Sequence, residues 1–567
     1  MRKCTDLLVL ATLVLVFILF NAAWLWHFRH GQLLDIDEAG YIGFALNDYQ
    51  SLAHGGFAAF LMSVEAPSIQ APLTTALAGL AFTLTGPHIL AAFSIPVFAG
   101  AGCILAAFFL ARTLGMGRLS LVPALLVASC PLVLNFSRDF QFSMPAAFTS
   151  TASLACLLQS QRLTRPGWSV LFGVFLGLMP LSRTMTLAFL PALLAGAVVY
   201  AYAGPPTRWR WKTLWLAVAL LAALLVAASW FVPNGRYVFH YLTGFGYGRH
   251  AAQYNQGQYG IGLSSFIYTI QLLGEYVCLP QFLLLLAAVP VAALIFIHAS
   301  IKTSLRRAIA AFISSPVIPG LAFVAGVLLT LSSTANKGDG FIAPAVPAML
   351  VLACLAFQTL CREALYRAVY VAVAVLIAAF GILPASGVPS LAQPIRAVLP
   401  VLGSVKVTSA SAPIQAYEVA GQYSQGNWSW PISPAKGRQY AGIYEQAAQA
   451  LSGQSAAVGL RGLLFNSNEI LLYQEILGVP KSLALFPVDP VAVGATPEGV
   501  SSWLTVGQAK SACYLVLTDE VIHQFPPAIP PNVMQEGART AGFSPSGTEW
   551  VLPDGERLTL WRRGNCA

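Results

Sequence analysis

Charge is what this sequence has least of. Of 567 residues only 9% are Asp, Glu, Lys or Arg, while 57% are hydrophobic. Soluble domains carry roughly 25% charged residues, so a soluble globular class is excluded and a membrane protein is indicated. The net charge of +9 is not gathered into a basic stripe, which excludes nucleic acid as a partner. The nine cysteines include no CxxC and no Cys/His metal spacing. Cys103, Cys130, Cys156 and Cys354 lie inside apolar runs, where a thiol behaves as a small core residue. Cys513 and Cys566 share a polar region and are able to pair if that region leaves the cytoplasm. A P-loop, a GxGxxG and an internal repeat are also missing, which removes the usual signs of a nucleotide site or a solenoid.

What the chain does have is long apolar segments. Leu7 to Trp26 follows Arg2 and Lys3, suffices to span roughly 30 Å of hydrocarbon, and lacks a small-x-small cleavage site. It reads as an uncleaved first transmembrane helix with its amino terminus inside. Further spans are predicted at about 88–111, 119–135, 145–159, 168–181, 184–203, 213–232, 280–299, 310–332, 341–361 and 367–387. Two shorter stretches, 72–85 and 262–277, read as interfacial. Basic residues cluster in alternate loops: Arg112 and Arg118, Arg162 and Arg165, Arg208 to Lys212, Lys302 to Arg307, Arg362 and Arg367. Placing those loops in the cytoplasm gives about eleven spans and an outside carboxy terminus. The predicted organisation is a membrane domain over 1–388, with interfacial helices in its first outside loop (28–86), and a soluble extracytoplasmic α/β domain over 389–567. Strand-like runs in the latter are "SAAVGLRGLLF", "SACYLVLTD" and "ERLTLWRR", and "SNEILLYQEILG" is helix-like.

The scarce ionisable residues collect in the outside loops of this topology. Asp35, Asp37 and Glu38 occupy the first loop in "GQLLDIDEAGYIGFA". Later loops hold Arg138 and Asp139, Arg183, then Arg236, His240, Arg249 and His250, and finally Lys337 and Asp339. A carboxylate base facing cations suits a substrate that carries a phosphate. Each group also has a plainer account. Loop carboxylates are ordinarily solvated, arginines at span ends reach for headgroups, and the tyrosines of 237–259 form an interfacial aromatic belt or stack on sugar. Asp35, Asp37 and Glu38 stand apart because adjacent acids repel, raising the pKa of at least one unless a cation compensates. On a helix, Asp37 and Tyr41 share a face.

Taken together these segments resemble the GT-C superfamily of membrane glycosyltransferases, nearest to the protein O-mannosyltransferase and lipid A aminoarabinose transferase families. "DEAGYIGFA" resembles the Asp-Glu-x-x-Tyr signature, "IQAPLTTALAGLAFTLTG" the "KPPL" segment, and "SRDFQFSMPAAFTSTASLACLL" the second outside loop and following span. "GLMPLSRTMTLAFLP" and "NKGDGFIAPAVPAMLVLACLA" are similar to two later segments. The likeness extends over roughly 1–390. It implies Asp37 as catalytic base, Glu38 as its orienting residue or a metal partner, and Tyr41 as a structural or phosphate-contacting neighbour. Arg183 and Lys337 become candidates for the donor phosphate, with Arg138, Asp139, Arg236, His240 and Arg249 as further substrate contacts. A divalent metal is left open, with Glu38 and Asp139 as its ligands. The sequence departs from the pattern at Gln70, which replaces the lysine of "KPPL", at Ser143, where an acid is usual, and at Phe341, which replaces a tyrosine.

The implied activity is inverting transfer of a sugar from a polyprenyl-phosphate donor to a lipid, glycan or protein acceptor, at the periplasmic face of a bacterial inner membrane. Such a donor has a good leaving group, so only a base and charge for the departing phosphate are required. An oligosaccharide ligase or oligosaccharyltransferase is the neighbouring alternative. A lipid-linked sugar flippase would place ionisable residues at mid-membrane depth, whereas these spans are nearly free of them.

Overall fold

The computed structural model describes residues 2–29, 34–203, 208–248, 251, 262–338, 340–360, 363–386, 395–399, 403–408, 434–462, 465–521, 524, 527–553, 555–564 and 566. Among the described residues these α-helices precede the first strand: α1 (Arg2–Phe28), α2 (Ile36–Val64), α3 (Pro72–Thr85), α4 (Ile89–Thr113), α5 (Leu121–Ala128), α6 (Pro131–Phe136), α7 (Ser143–Gln159), α8 (Pro166–Ser182), α9 (Leu190–Tyr202), α10 (Trp209–Tyr247), α11 (Leu263–Thr303), α12 (Leu305–Ile313), α13 (Ile318–Ser333), α14 (Val346–Gln358) and α15 (Ala364–Ile382). Among the described residues six helical segments are long and apolar enough to cross a membrane (α1, α4, Thr184–Tyr202 with α9, α10, α11 and α15), or seven if the pair α12 and α13, bent by 82°, is one span. The chain is a multi-pass membrane protein. The other expected spans are occupied by shorter helices. Pro131 starts a new helix after an extended Cys130, which divides the 119–135 stretch in two.

Two helices run past their predicted ends. α10 has 39 residues, about 58 Å at 1.5 Å per residue, and continues through Pro233 into what the sequence suggested was loop. The stretch 262–277 is continuous with the next span as α11, broken at Cys278 (φ 64°, ψ 161°). Pro280 follows two residues later and lacks the amide donor that would continue the helical bonding across the break.

The chain divides into two compact units. One comprises Met1–Trp24, Gly55–Leu77 and Phe93–Ser411. With lipid outside, its helices gain little from hydrophobic burial against one another, so close packing must hold them. Gly173 and Gly177, four apart on α8, show how: an added Cβ would sit 2.1 Å from the Ala219 carbonyl oxygen and 2.5 Å from that of Ala223 on α10. This unit ends in an antiparallel hairpin of β1 (Ile395–Leu399) and β2 (Gly403–Thr408).

The other unit comprises Leu25–His54, Ala78–Ala92 and Ala412–Ala567. Its centre is a five-stranded mixed sheet of order β4-β3-β5-β7-β6, formed by β3 (Ser455–Val458), β4 (Ala484–Pro487), β5 (Tyr514–Thr518), β6 (Phe543–Val551) and β7 (Arg557–Arg563). Helices α16 (Pro434–Ala450), α17 (Ser467–Ile476), α18 (Pro490–Val493), α19 (Pro497–Thr505) and α20 (Pro531–Thr540) complete it. Side chains alternate along the strands. Ala456, Val458, Val516, Leu558 and Leu560 bury one face with Tyr440 and Tyr444 of α16. Ala457, Leu515, Leu517 and Trp561 bury the other with Trp503 and Met534. Cys513 and Cys566, just outside paired strands β5 and β7, form a disulfide.

Candidate active site

The acids of "DIDEAGY" lie at the start of α2, and local helix chemistry accounts for two of them. The Asp35 carboxylate accepts from the Glu38 amide at 2.7 Å, and Glu38 Oε2 accepts from the Asp35 amide at 3.3 Å. This is a reciprocal capping box, satisfying amides that the first turn leaves without helical partners. Arg29 completes it: its Nη2 donates to Glu38 Oε2 at 2.6 Å, with both side chains buried. Asp37, between them, is exposed, and Tyr41 is half-buried one turn further on.

A second helix start, in the C-terminal part of the same unit, reaches this one. Asn466 caps α17 by accepting from the amides of Asn468 and Glu469. The Asn468 side chain donates to the Ile36 carbonyl at 2.7 Å. Glu469 is 1% exposed. Its burial first, then the charges of Asp35 and Glu38, hold its carboxyl well above the usual range, while Arg29 acts in the opposite direction. Asp35 is shifted the same way, by burial first and then by Glu38 and Asp37. The site is thus a group of buried acids at two helix N-termini, whose dipoles favour negative charge, with Arg29 as counterion and Asp37 at its exposed side.

The membrane unit holds a separate cationic cluster. Arg183 ends α8 in extended backbone. Its guanidinium lies over the Phe341 ring at 4.5 Å, and Nη1 donates to Ser143 Oγ at 2.7 Å and the Gly340 carbonyl at 3.2 Å. The position where the resembled family usually has an acid therefore gives Arg183 a neutral hydroxyl. Lys337 Nζ is buried and donates to Ser265 Oγ at 2.7 Å, the Thr334 carbonyl at 2.6 Å and the Leu331 carbonyl. Burial pushes its ammonium down to about 8. Beside it a recess is lined by Thr269, Leu272, Tyr276, Lys337, Phe341 and Ile342. Three segments distant in sequence, 143, 183 and 337–341, thus meet.

The remaining expected residues are placed differently. Arg138 is turned into the fold: Nε donates to Asn21 and Nη1 to the Ala385 carbonyl, each at 2.7 Å, and the guanidinium stacks on Trp24 at 4.4 Å. Asp139 is buried. Arg236 and His240 are exposed on the extension of α10. Arg249, His250 and Asp339 lie outside the described residues. Of the two acids expected to hold a metal, Glu38 already meets Arg29 and a backbone amide. Sequence reasoning missed Arg29 and the pair Asn468 and Glu469. "NSNE" carries the same cap-x-x-Glu signature as "DIDE", so the helix start was legible while its neighbour was not.

Comparison with known proteins gives an ArnT-like fold, a polytopic helical body with a small mixed sheet towards the carboxy end. Residues 69–232 match the family model described as dolichyl-phosphate-mannose-protein mannosyltransferase. The structure is similar to ArnT from Cupriavidus metallidurans in the apo state, at 15% identity and a TM-score of 0.55, covering 99% of this chain and 98% of that one. It is likewise similar to the same protein bound to undecaprenyl phosphate, at 17% identity and a TM-score of 0.54, over 99% and 98% of the two chains. No curated protein matches this chain in sequence.

Proposed function

We propose that this chain is a glycosyltransferase that moves a sugar from a polyprenyl-phosphate donor to an acceptor hydroxyl or amine, with Asp37 as the general base. The observation that carries the assignment is the division of labour at the start of α2. Asp35 and Glu38 are bound in the cap and the ion pair, and Asp37 is the exposed acid among the three. A base that takes a proton from an incoming acceptor must be reachable. Asp37 fits that need.

Arg183 and Lys337 are assigned to the donor phosphate. An arginine fixed by a ring and a hydroxyl is pre-organised for phosphate, and beside a bilayer the low dielectric strengthens the contact. The fold likeness to ArnT, solved with undecaprenyl phosphate bound, supports a polyprenyl carrier. Attack by the acceptor on the anomeric carbon, with departure of the lipid phosphate, inverts that carbon. The Cys513–Cys566 disulfide supports an oxidising compartment for the C-terminal domain, hence an extracytoplasmic face. The 1–388 and 389–567 regions then act as membrane and soluble parts of one enzyme.

The test compares cells carrying wild type, Asp37→Asn or no copy, with mass spectrometry of lipids, glycans and envelope proteins. A hexose- or aminosugar-sized mass present with wild type and lost in Asp37→Asn at equal protein level is expected. Wild-type modification in Asp37→Asn refutes the assignment.

A further inference from the structure

We propose that Asn468, in the C-terminal domain, is a positioning residue that holds the first turn of α2 and with it Asp37. This deepens the reading above and rests on Asp37 being the base. Three observations within one compact unit carry it. The Asn468 amide donates to the Ile36 carbonyl at 2.7 Å, next to Asp37 in sequence. The Ile36 side chain packs against the core formed by α16, α17 and the sheet. Gly40, three residues after Asp37, leaves room for Asn468: an added Cβ would lie 2.9 Å from Asn468 Nδ2 and 3.4 Å from its Cγ. Two turns beyond Gly40, Lys481 Nζ donates to Asn47 Oδ1 at 2.6 Å.

Gly40 is the informative member. A glycine inside a helix is ordinarily a weakness, and alanine there stiffens the chain. Here the missing side chain has a use: it lets a side chain from more than four hundred residues away reach the first turn of α2. Helix propensity and the Asn468 contact therefore predict opposite effects for the same substitution. The C-terminal domain becomes part of the catalytic arrangement, fixing the backbone that presents the base.

The test uses the full-length protein in detergent, comparing wild type, Asn468→Ala, Gly40→Ala and the double variant. Amide hydrogen exchange of the peptide covering 36–46 is the first readout and needs no substrate. Exchange in Asn468→Ala is expected to rise about fivefold to tenfold, the worth of one net hydrogen bond, with Gly40→Ala close to it. The double variant should be no worse than either single one, since both changes break the same contact. The second readout is the in-cell modification level set against affinity of the purified protein for undecaprenyl phosphate. Modification should fall by a similar factor with affinity unchanged, because the base is displaced and the phosphate site is not. Slower exchange in Gly40→Ala together with unchanged exchange in Asn468→Ala overturns the proposal, as does a parallel loss of undecaprenyl phosphate affinity. If Asp37→Asn keeps full modification, the assignment of the base fails, while the exchange data still report the contact.

Discussion

Arg29 is the counterion of a buried acid, so Arg29→Met should damage the fold more than any single carboxylate change nearby. Arg29 Nη2 and Glu38 Oε2 are 2.6 Å apart, with side chains 1% and 0% exposed. Removing one partner of a buried pair costs about 3–5 kcal/mol, because the other charge stays desolvated and unmatched. Asp35 and Glu469 enlarge the effect, since Arg29 is an opposing charge for both. In a unit of roughly 200 residues each kcal/mol is about 2–4 °C in melting temperature, so a fall on the order of 10 °C is expected. Glu38→Gln should cost less than Arg29→Met, because the amide oxygen still accepts from Arg29 and Asp35 and the Asp35 and Glu469 carboxyls still face the guanidinium. Adding Glu38→Gln to Arg29→Met should recover much of the loss. Proteolysis of the full-length protein after brief heating, with fragments of 412–567 followed by mass spectrometry, reads this unit directly. Arg29→Met melting within about 2 °C of wild type would refute the ion-pair reasoning. Loss of transfer in Glu38→Gln with an unchanged melt would return Glu38 to the chemistry.

The other predictions are briefer. Arg183→Lys gives up the planar stack on Phe341 and should weaken undecaprenyl phosphate binding about tenfold in a titration of the purified protein, with Phe341→Ala in the same direction. Glu469 holds its proton more tightly folded than unfolded, so its contribution is greatest below the usual carboxyl range and is lost as pH rises towards its raised folded value. Glu469→Gln should therefore melt close to wild type near about pH 4 and above it near about pH 8. A mutant that loses ground as pH rises would contradict the sign. The disulfide closes a sequence separation of 53, and its removal by Cys513→Ser with Cys566→Ser should cost the C-terminal domain about 4 kcal/mol in the same heating assay.

How legible all this was depends on how far each signal travels along the chain. The membrane body follows from composition, because twenty apolar residues in a row have few other uses. The breaks within it follow from backbone chemistry that hydropathy does not weigh, as at Cys278 before Pro280 and at Pro131. In the C-terminal domain the predicted strands β3, β5 and β7 form the middle of the sheet. Strands β4 and β6 at its edges escaped notice: β4 is four residues long, and β6 carries Pro545 and Gly547 at an irregularity tolerated on an edge.

The cluster of acids shows the deeper difficulty. "DIDE" is both a group of carboxylates and a helix start, and the pattern alone gives no weight to either. Position decides: Asp35 and Glu38 are three apart, the spacing of a capping box, so each satisfies the other's amide, and Asp37 between them is exposed. Charge is then concentrated here for two reasons. The start of α2 needs acceptors for its amides, and Asp35 and Glu38 supply them where Arg29 and the helix dipole offset the burial, whereas Asn466 caps α17. In a chain this poor in charge, an exposed carboxylate on a turn held from several sides is the acid we propose for chemistry on a substrate, and its exposure separates Asp37 from buried neighbours of the same charge.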